Sequence, residues 1–141
     1  MKKSRIENEQ VVSLLSIRPR YNRAIMAISG ISYVAVWSKD LSANRHVFAN
    51  VLELPIAYED ENIVVFDTDG AQLVLQRAIG ADLHLDGSVQ FGFSVEALED
   101  VTRALQDARQ TIELDQEELG LKQRVTVLRL PSGQSVEFIG E

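Results

Sequence analysis

Residues 31–76 read ISYVAVWSKDLSANRHVFANVLELPIAYEDENIVVFDTDGAQLVLQ, and residues 89–139 read VQFGFSVEALEDVTRALQDARQTIELDQEELGLKQRVTVLRLPSGQSVEFI. Each stretch begins with alternating apolar and polar residues, which predict a strand, and continues into a capped amphipathic segment, which predicts a helix. Each then ends at a glycine-containing turn that is followed by another alternating strand. The chain therefore contains an internal repeat of about 50 residues, a period that is typical of repeated folding units.

The first module is expected to contain one helix between its strands. Alternation over residues 31–37 places Tyr33 and Trp37 on the same face of the opening strand. Ser42 is the expected N-cap of the helix, because its hydroxyl can accept a hydrogen bond from the first helical turn. Pro55 is expected to end the helix. The residues expected to pack against the sheet are Val47, Phe48, Val51 and Leu52. The later strands are expected at residues 56–58, 62–67 and 72–76.

The second module repeats this order. A helix is expected over residues 96–109, and its inward face is formed by Leu98, Val101, Leu105 and Ala108. Strands are expected at residues 90–95, 123–130 and 135–139, and the Gly- and Asp-rich stretch 78–88 is expected to be a connecting loop. The predicted fold class is therefore α+β, with two βαβββ modules forming a curved, cup-like mixed sheet and helices on its outer face.

Composition and length restrict the class of protein. The chain has 141 residues, of which 45% are hydrophobic and 25% charged, as expected for a single globular domain, which we place at residues 28–141. The net charge of −7 argues against nucleic acid as a partner, because that binding depends on Lys and Arg. No apolar run approaches the roughly 20 residues of a membrane helix, so no membrane partner is expected. The absence of cysteine fits a reducing, cytoplasmic location.

Residues 1–27 form a basic N-terminal extension that differs in charge from the rest of the chain. Its first 25 residues contain six Lys and Arg residues and two Glu residues, a net charge of +4. The apolar run at residues 11–17 is too short for a secretory signal and is followed by Pro19. We expect a short helix that docks on the domain or on a partner subunit. The alternative is that Met26 is the true start of the protein.

Five stretches carry a resemblance to a known superfamily: residues 31–41, 48–55, 70–76, 90–98 and 131–138. With these stretches, the two modules resemble the paired βαβββ modules of the vicinal oxygen chelate superfamily, which includes glyoxalase I, extradiol dioxygenases, and fosfomycin and bleomycin resistance proteins. The resemblance covers nearly the whole chain except the basic extension. It departs from the family pattern at Ala49 and Glu53, where Tyr and Gly are common. It also departs at Leu130-Pro131-Ser132-Gly133, where an Asp-Pro-Asp-Gly turn is common.

The resemblance also implies where a metal ion would be bound. Enzymes of the superfamily place ligands on the first and last strands of each module, and the matching positions are Tyr33, Val74, Gln90 and Glu137. A divalent cation usually requires three or more nitrogen or oxygen ligands, whereas Val74 has no ligand atom. We therefore expect no metal cofactor, and if one is bound its ligands are Gln90 and Glu137. His46 and His84 are expected on the surface and do not complete the set.

The ligand is expected to bind in the cup, which is lined by aromatic and polar side chains. These are Tyr33, Trp37, Gln72, Gln76, Gln90 and Glu137. Glu137 is the best candidate for a catalytic residue. Its carboxylate can act as a base, bind a cationic ligand, or pair with an Arg or Tyr side chain. These residue types do not decide whether the protein is an enzyme.

Three functions follow from these expectations. The first is a metal-free protein that binds a small organic molecule in the cup, as the resemblance to bleomycin resistance proteins implies, together with a homodimer. The second is a metal-dependent lyase, isomerase or dioxygenase that uses Gln90 and Glu137. The third is a dimeric protein-interaction module whose cup is filled by side chains and whose basic extension recruits a partner.

Overall fold

The structure, a computed structural model, describes residues 9–15 and 28–141 of the chain. Its helices are α1 (Glu9–Leu15), α2 (Leu41–Arg45) and α3 (Leu98–Asp107). Its strands are β1 (Ile28–Ser38), β2 (Ile56–Glu59), β3 (Ile63–Phe66), β4 (Gln72–Arg77), β5 (Val89–Val95), β6 (Thr111–Gly120), β7 (Gln123–Arg129) and β8 (Ser135–Gly140). The predicted α+β class is confirmed: these strands form a mixed sheet of eight in the order β2-β3-β4-β1-β5-β8-β7-β6, which is not closed.

Both predicted βαβββ modules are present, and they share one connectivity. In the first module, β1 runs parallel to β4, while β3 pairs antiparallel with both β4 and β2. In the second module, β5 runs parallel to β8, while β7 pairs antiparallel with both β8 and β6. The parallel pairing is possible because a helix and two strands separate the paired strands along the chain.

The chain divides into two compact units. We call Tyr33–Gln90 the first-module unit, and Met1–Ser32 together with Phe91–Glu141 the second-module unit. No helix in the described part of the chain is long and apolar enough to cross a membrane.

The helix of the first-module unit begins earlier than the sequence predicts. Asp40 is the N-cap of α2, and its carboxylate accepts a hydrogen bond of 3.1 Å from the backbone N–H of Ala43. The prediction that Ser42 is the cap is wrong. Because the helix starts at Leu41, Ser42 lies within the first turn, where its backbone is already helical.

A π-helical stretch, His46–Val51, continues α2 and changes which residues face the sheet. Leu52 donates its backbone N–H to the carbonyl of Val47, five residues earlier, at 2.9 Å. This wider turn rotates the apolar stripe, so that Val47, Val51 and Leu52 are exposed to solvent. The predicted packing of these three residues is therefore wrong, and Phe48 is the member of the stripe that is half-buried.

The core of the first-module unit lies between this helix and one face of its strands. Its buried residues are Leu41, Val64, Phe66 and Leu75. Phe48 packs against them, with its ring centre 5.9 Å from that of Phe66. Burial of a side chain of this size contributes about 1.5–3 kcal/mol, so this apolar layer stabilises the packing of the helix on the sheet.

In the second-module unit, α3 packs on the sheet in the same way. The buried residues of this core are Val95, Leu98, Val101, Leu128, Val136 and Phe138. The rings of Phe93 and Phe138 stack with their centres 5.6 Å apart. The prediction that Ala108 faces inward is wrong, because the helix ends at Asp107 and Ala108 is exposed as its C-cap.

A buried pair of hydroxyl groups lies between α3 and β7. Thr102 Oγ1 donates to the carbonyl of Leu98 at 2.8 Å and lies 2.7 Å from Thr126 Oγ1. Thr126 Oγ1 also accepts a hydrogen bond of 3.2 Å from the backbone N–H of Gln116. These bonds satisfy polar groups that would otherwise destabilise the core.

The link between the modules is more regular than expected. It contains a 3₁₀ helix, Gly80–Leu85, where the sequence predicts a loop. The turn at its end is held by the carboxylate of Asp86, which accepts a hydrogen bond of 2.8 Å from the backbone N–H of Lys39. The link is thus tied to the end of β1.

Candidate functional site

The first-module unit has one sheet face that its helix leaves free, which we call the first helix-free face. Strand alternation directs Val36, Leu73 and Leu75 toward α2, where they join the apolar core. The intervening residues of β1 and β4 point to the opposite face. They are cross-strand neighbours in the pairs Tyr33 with Gln72, Ala35 with Val74, and Trp37 with Gln76.

This first face lies in the interior of the protein. Trp37 is 2% exposed and Gln76 is 4% exposed, and Tyr33 is fully buried. The indole N–H of Trp37 donates a hydrogen bond of 3.0 Å to the side-chain oxygen of Gln90, which is also buried. Polar groups in such an environment are stable only when they are hydrogen-bonded, so the partners of each amide matter.

Two amide groups on this face have polar atoms that no described residue satisfies. The side-chain oxygen of Gln72 and the side-chain nitrogen of Gln76 are buried, and neither has a hydrogen-bond partner. An unsatisfied buried atom costs about 1–3 kcal/mol. The face therefore offers one acceptor and one donor that a bound molecule can match.

The second-module unit has an equivalent face, which we call the second helix-free face. Val136 and Phe138 of β8 point toward α3, so Glu137 between them points away. Glu137 is fully buried, and its cross-strand neighbours are Gly92 on β5 and Val127 on β7. A carboxyl group is therefore enclosed on this face.

A polar cluster lies at the end of the second face. Ser135 donates a hydrogen bond of 2.5 Å to one carboxylate oxygen of Glu113, and Arg129 donates one of 3.0 Å to the other. Arg129 also donates to the carbonyl of Gly133 at 3.2 Å. The sequence does not single out Glu113, because it belongs to β6, whose charged residues show no clear alternation.

Helix α1 lies on the second helix-free face, which is the face that α3 leaves free. Near its C-terminal end, Ser94 donates a hydrogen bond of 3.2 Å to the carbonyl of Leu15. At its N-terminal end, a Cβ placed on Gly120 would lie 3.3 Å from a carboxylate oxygen of Glu9, so the two residues are in close contact. Three apolar residues of the helix are buried, namely Val11, Val12 and Leu15, and Leu14 is half-buried. The short helix expected in the basic extension is thus present and covers part of this face.

The structure groups the predicted site residues by unit. Tyr33, Trp37, Gln72, Gln76 and Gln90 lie in the first-module unit, and Glu137 lies in the second. Cross-strand pairing joins Tyr33 with Gln72 and Trp37 with Gln76. A hydrogen bond joins Trp37 with Gln90. The sequence carries no signal for the bond between Trp37 and Gln90, since 53 residues separate them.

The residues at the superfamily's metal positions do not fit a divalent cation. Val74 has no ligand atom, and the side-chain oxygen of Gln90 already accepts a hydrogen bond from Trp37. Within residues 9–15 and 28–141, no three His, Cys, Asp or Glu side chains converge as a metal site requires. His46 and His84 are both exposed.

Comparison with solved structures shows which fold this is. A glyoxalase/bleomycin resistance protein/dioxygenase superfamily member from Vibrio splendidus 12B01 is similar with a TM-score of 0.62 and 20% identity, over 77% of this chain and 97% of that one. Methylmalonyl-CoA epimerase from Mycobacterium tuberculosis is similar with a TM-score of 0.69 and 17% identity, over 86% and 93%. An extradiol ring-cleaving dioxygenase from B. fuscum is similar with a TM-score of 0.63 and 22% identity, over 89% of this chain and 36% of that one.

These likenesses establish the vicinal oxygen chelate fold, as the resemblance of the two modules predicts. No protein-family model matches the sequence, and neither does any curated protein.

Proposed function

We propose that the protein binds a small organic molecule at the first helix-free face, where Trp37 supplies an aromatic wall and the amides of Gln72 and Gln76 supply polar contacts. The proposal is carried by the side-chain nitrogen of Gln76, which is buried and has no hydrogen-bond partner among the described residues. A ligand that brings an acceptor to this nitrogen would satisfy it. Apolar walls with a few placed polar groups are typical of small-molecule sites.

The polar atoms restrict the class of ligand. Gln76 offers a donor and Gln72 an acceptor, so the ligand carries an acceptor near one end and a donor near the other. The two residues are four positions apart on β4, which corresponds to about 13 Å along a strand. Val74 lies between them and the aromatic residues of β1 lie beside them, so the middle of the ligand is apolar. An elongated neutral molecule with polar ends fits these requirements.

Because the first face is enclosed, the ligand binds a conformation in which the face is open. A site that is open for only a fraction of the time has its apparent affinity reduced by that fraction. We therefore expect association to be slow compared with diffusion, and binding experiments need long incubation.

The fold supports this proposal without selecting the ligand. Its structural neighbours include a methylmalonyl-CoA epimerase and an extradiol ring-cleaving dioxygenase, so the same fold serves proteins that act on small organic molecules. A fold by itself does not determine chemistry, and the ligand class above comes from the side chains of this chain.

In this proposal, binding does not depend on a divalent metal, and the expected form is a cytoplasmic homodimer. The alternative is a metal-dependent lyase, isomerase or dioxygenase that uses Gln90 and Glu137. Elemental analysis of the purified protein separates the two, because near-stoichiometric zinc, manganese or iron would favour the enzyme. Sedimentation analysis with and without ligand tests the homodimer.

The only tryptophan of the chain, Trp37, reports directly on the first face. A library of elongated neutral amides and related compounds is screened by thermal unfolding and by Trp37 fluorescence. A ligand present at a hundredfold excess over its Kd adds about 2.7 kcal/mol to the free energy of unfolding, which raises the melting temperature. A ligand at this face is also expected to change the Trp37 emission.

A matched pair of variants tests the role of Gln76. Gln76→Leu keeps the size of the side chain but removes the donor, and it is expected to abolish binding. Gln110→Leu changes an exposed amide and is expected to bind as the wild type does. The proposal is wrong if Gln76→Leu binds as tightly as the wild type, or if no compound in the library alters either signal of the folded wild type.

A further inference from the structure

We propose that Asp69 is a site of spontaneous isoaspartate formation, whereas Asp86, which stands in the same Asp-Gly sequence, is protected by the fold. The proposal concerns a covalent modification of the turn between β3 and β4. It requires no ligand at either helix-free face, so it is independent of the proposed function.

The reaction uses only groups that both Asp-Gly pairs contain. The backbone nitrogen of the glycine attacks the side-chain carboxyl carbon of the aspartate, and a C–N bond forms while the amide proton and the carboxyl hydroxyl group leave as water. Water then opens the resulting succinimide ring, and opening at the main-chain carbonyl leaves isoaspartate, whose backbone runs through the former side chain. The reaction needs no oxidant, reductant or cofactor. Glycine favours the attack because it has no Cβ beside the nitrogen.

The Asp69 pair is held only by contacts within its own turn. In the described part of the chain, no donor hydrogen-bonds the carboxylate of Asp69 and no cation pairs with it. The N–H of Gly70 donates to the carbonyl of Thr68 at 2.9 Å. The hydroxyl of Thr68 donates to the carbonyl of Ala71, which closes the turn without engaging Asp69. The carboxyl group of Asp69 therefore changes its orientation without losing a bond.

The Asp86 pair is tied to the end of β1 by three hydrogen bonds. The carboxylate of Asp86 accepts one of 2.8 Å from the backbone N–H of Lys39. The N–H of Gly87 donates to the carbonyl of Trp37 at 2.9 Å, and the N–H of Trp37 donates to the carbonyl of Ser88 at 3.0 Å. Both reacting groups of this pair, the carboxylate and the glycine N–H, are thus bound to another element of the unit.

The two pairs differ in what must open before the ring can form. The residues of both pairs are exposed, so access to water does not distinguish them. The ring forms at Asp69 when a surface turn rearranges locally, whereas at Asp86 the link between the modules must first separate from β1. Turns at a surface open at a much smaller free energy than paired backbone, so we expect isomerisation of the folded chain to be on the order of tenfold faster at Asp69.

The modified chain is expected to remain folded. Isoaspartate adds one carbon to the backbone of the turn, and the pair of β3 and β4 residues next to the turn is Phe66 with Leu73. The additional carbon lies outside these paired residues, in a segment whose conformation is set by local bonds. Isoaspartate at Asp69 is therefore expected to accumulate in the native protein.

The test follows the wild-type chain during a long incubation at neutral pH. Trypsin separates the two pairs, because cleavage after Arg45, Arg77 and Arg103 yields peptides 46–77 and 78–103. Isoaspartate leaves the peptide mass unchanged, so it is measured by chromatographic separation and located by electron-transfer fragmentation. We expect it to form at Asp69 on the order of tenfold faster than in peptide 78–103. Circular dichroism verifies that the incubated protein is still folded.

The unfolded chain is the matched control. In concentrated urea both pairs lose their folded contacts, and they are expected to isomerise at similar rates. Asp69→Glu is a second control, because glutamate would have to form a six-membered ring, which closes far more slowly. This variant is expected to yield no isomer at position 69 and to leave the rate at Asp86 unchanged.

Three results would overturn the proposal. They are equal rates at the two pairs of the folded chain, no isoaspartate at Asp69 under conditions in which the unfolded chain forms it, and a difference between the pairs that persists in urea. None of these measurements involves ligand binding, so the proposed function stands or falls by its own experiment.

Discussion

Trp37 and Ser94 occupy equivalent positions in the two modules. Trp37 lies two residues after Ala35, which pairs with Val74, the third residue of β4. Ser94 lies two residues after Gly92, which pairs with Glu137, the third residue of β8. Yet one position carries the largest side chain in proteins and the other one of the smallest. The two copies of the motif therefore fill the same sheet face by different means.

In the first-module unit, the indole of Trp37 fills the face and is fixed by its hydrogen bond to Gln90. In the second-module unit, the small side chain of Ser94 leaves space that α1 occupies, and its hydroxyl holds the carbonyl of Leu15. The comparison teaches that equivalent faces of the two modules are covered differently, the first by a side chain of its own strand and the second by a separate helix.

The helices of the two modules differ in burial, and a matched pair of substitutions tests this difference. Leu98 in α3 is 0% exposed, and Leu52 at the end of the π-helical stretch is 57% exposed. Leu98→Ala is expected to lower the free energy of unfolding by about 2–5 kcal/mol, because it leaves a cavity in the core. Leu52→Ala is expected to change it by less than about 0.5 kcal/mol.

Chemical denaturation of both proteins measures the two effects. Similar losses for Leu98→Ala and Leu52→Ala would contradict the π-helical geometry and would mean that Leu52 packs against the sheet, as the simple helical pattern predicts.

The cores behind the two helices also differ, since the second contains hydroxyl groups and the first is a cluster of apolar residues. Thr126→Val removes the partner of Thr102 and of the Gln116 N–H, and it is expected to cost about 1–3 kcal/mol of the free energy of unfolding. The double variant, which carries Thr102→Val and Thr126→Val, removes both hydroxyls. Its loss of unfolding free energy is expected to be smaller than the sum of the losses in the two single variants. A double-mutant cycle by denaturation measures this coupling, and strict additivity would show that the two hydroxyls do not interact.

The smallest expected effect concerns an ion pair at the surface of the first-module unit. Arg45 donates to the carboxylate of Glu59 at 2.6 Å and 3.0 Å, and this contact lowers the pKa of Glu59 below its ordinary value of 4.5. A lowered pKa in the folded state stabilises the protein above the unfolded pKa, and the contribution is lost as the pH falls through the folded value.

Glu59→Gln is therefore expected to be slightly less stable than the wild type at neutral pH, and the difference is expected to vanish in acid well below pH 4.5. Because the pair is exposed, the difference is small and decreases with added salt. Denaturation curves at the two pH values measure it. A difference that persists unchanged in acid would show that the carboxylate does not contribute through its charge.

Much of this fold is predictable because strand alternation survives in the sequence. The residues of β1, β4 and β8 that face one side are identified by their period of two, and the parallel pairing follows from the βαβββ order. The strand β6 is not predictable in this way. Its pairing with β7 shifts register at three places, and Gln116 within it has a positive φ of 49°, so no regular period links its residues.

The candidate site is predictable only in part. Alternation identifies which residues share a face, and this is how Trp37 and Gln76 come to be neighbours. It does not reveal which polar atoms remain unsatisfied, since that depends on distances between side chains. Nor does it reveal that α1 lies on the face of Ser94, because Leu15 and Ser94 are 79 positions apart and their contact is set by tertiary packing.

That separation has a consequence for how the protein is made. The apolar residues of α1 are synthesised early, but Ser94, which holds the carbonyl of Leu15, follows 79 residues later. At typical rates of about 5–20 residues per second, the segment waits about 4–16 s on the ribosome before its docking strand emerges. During that interval Val11, Val12 and Leu15 have no completed face to cover. Docking of α1 therefore follows synthesis of the second module, because that module contains the strand to which α1 is bound.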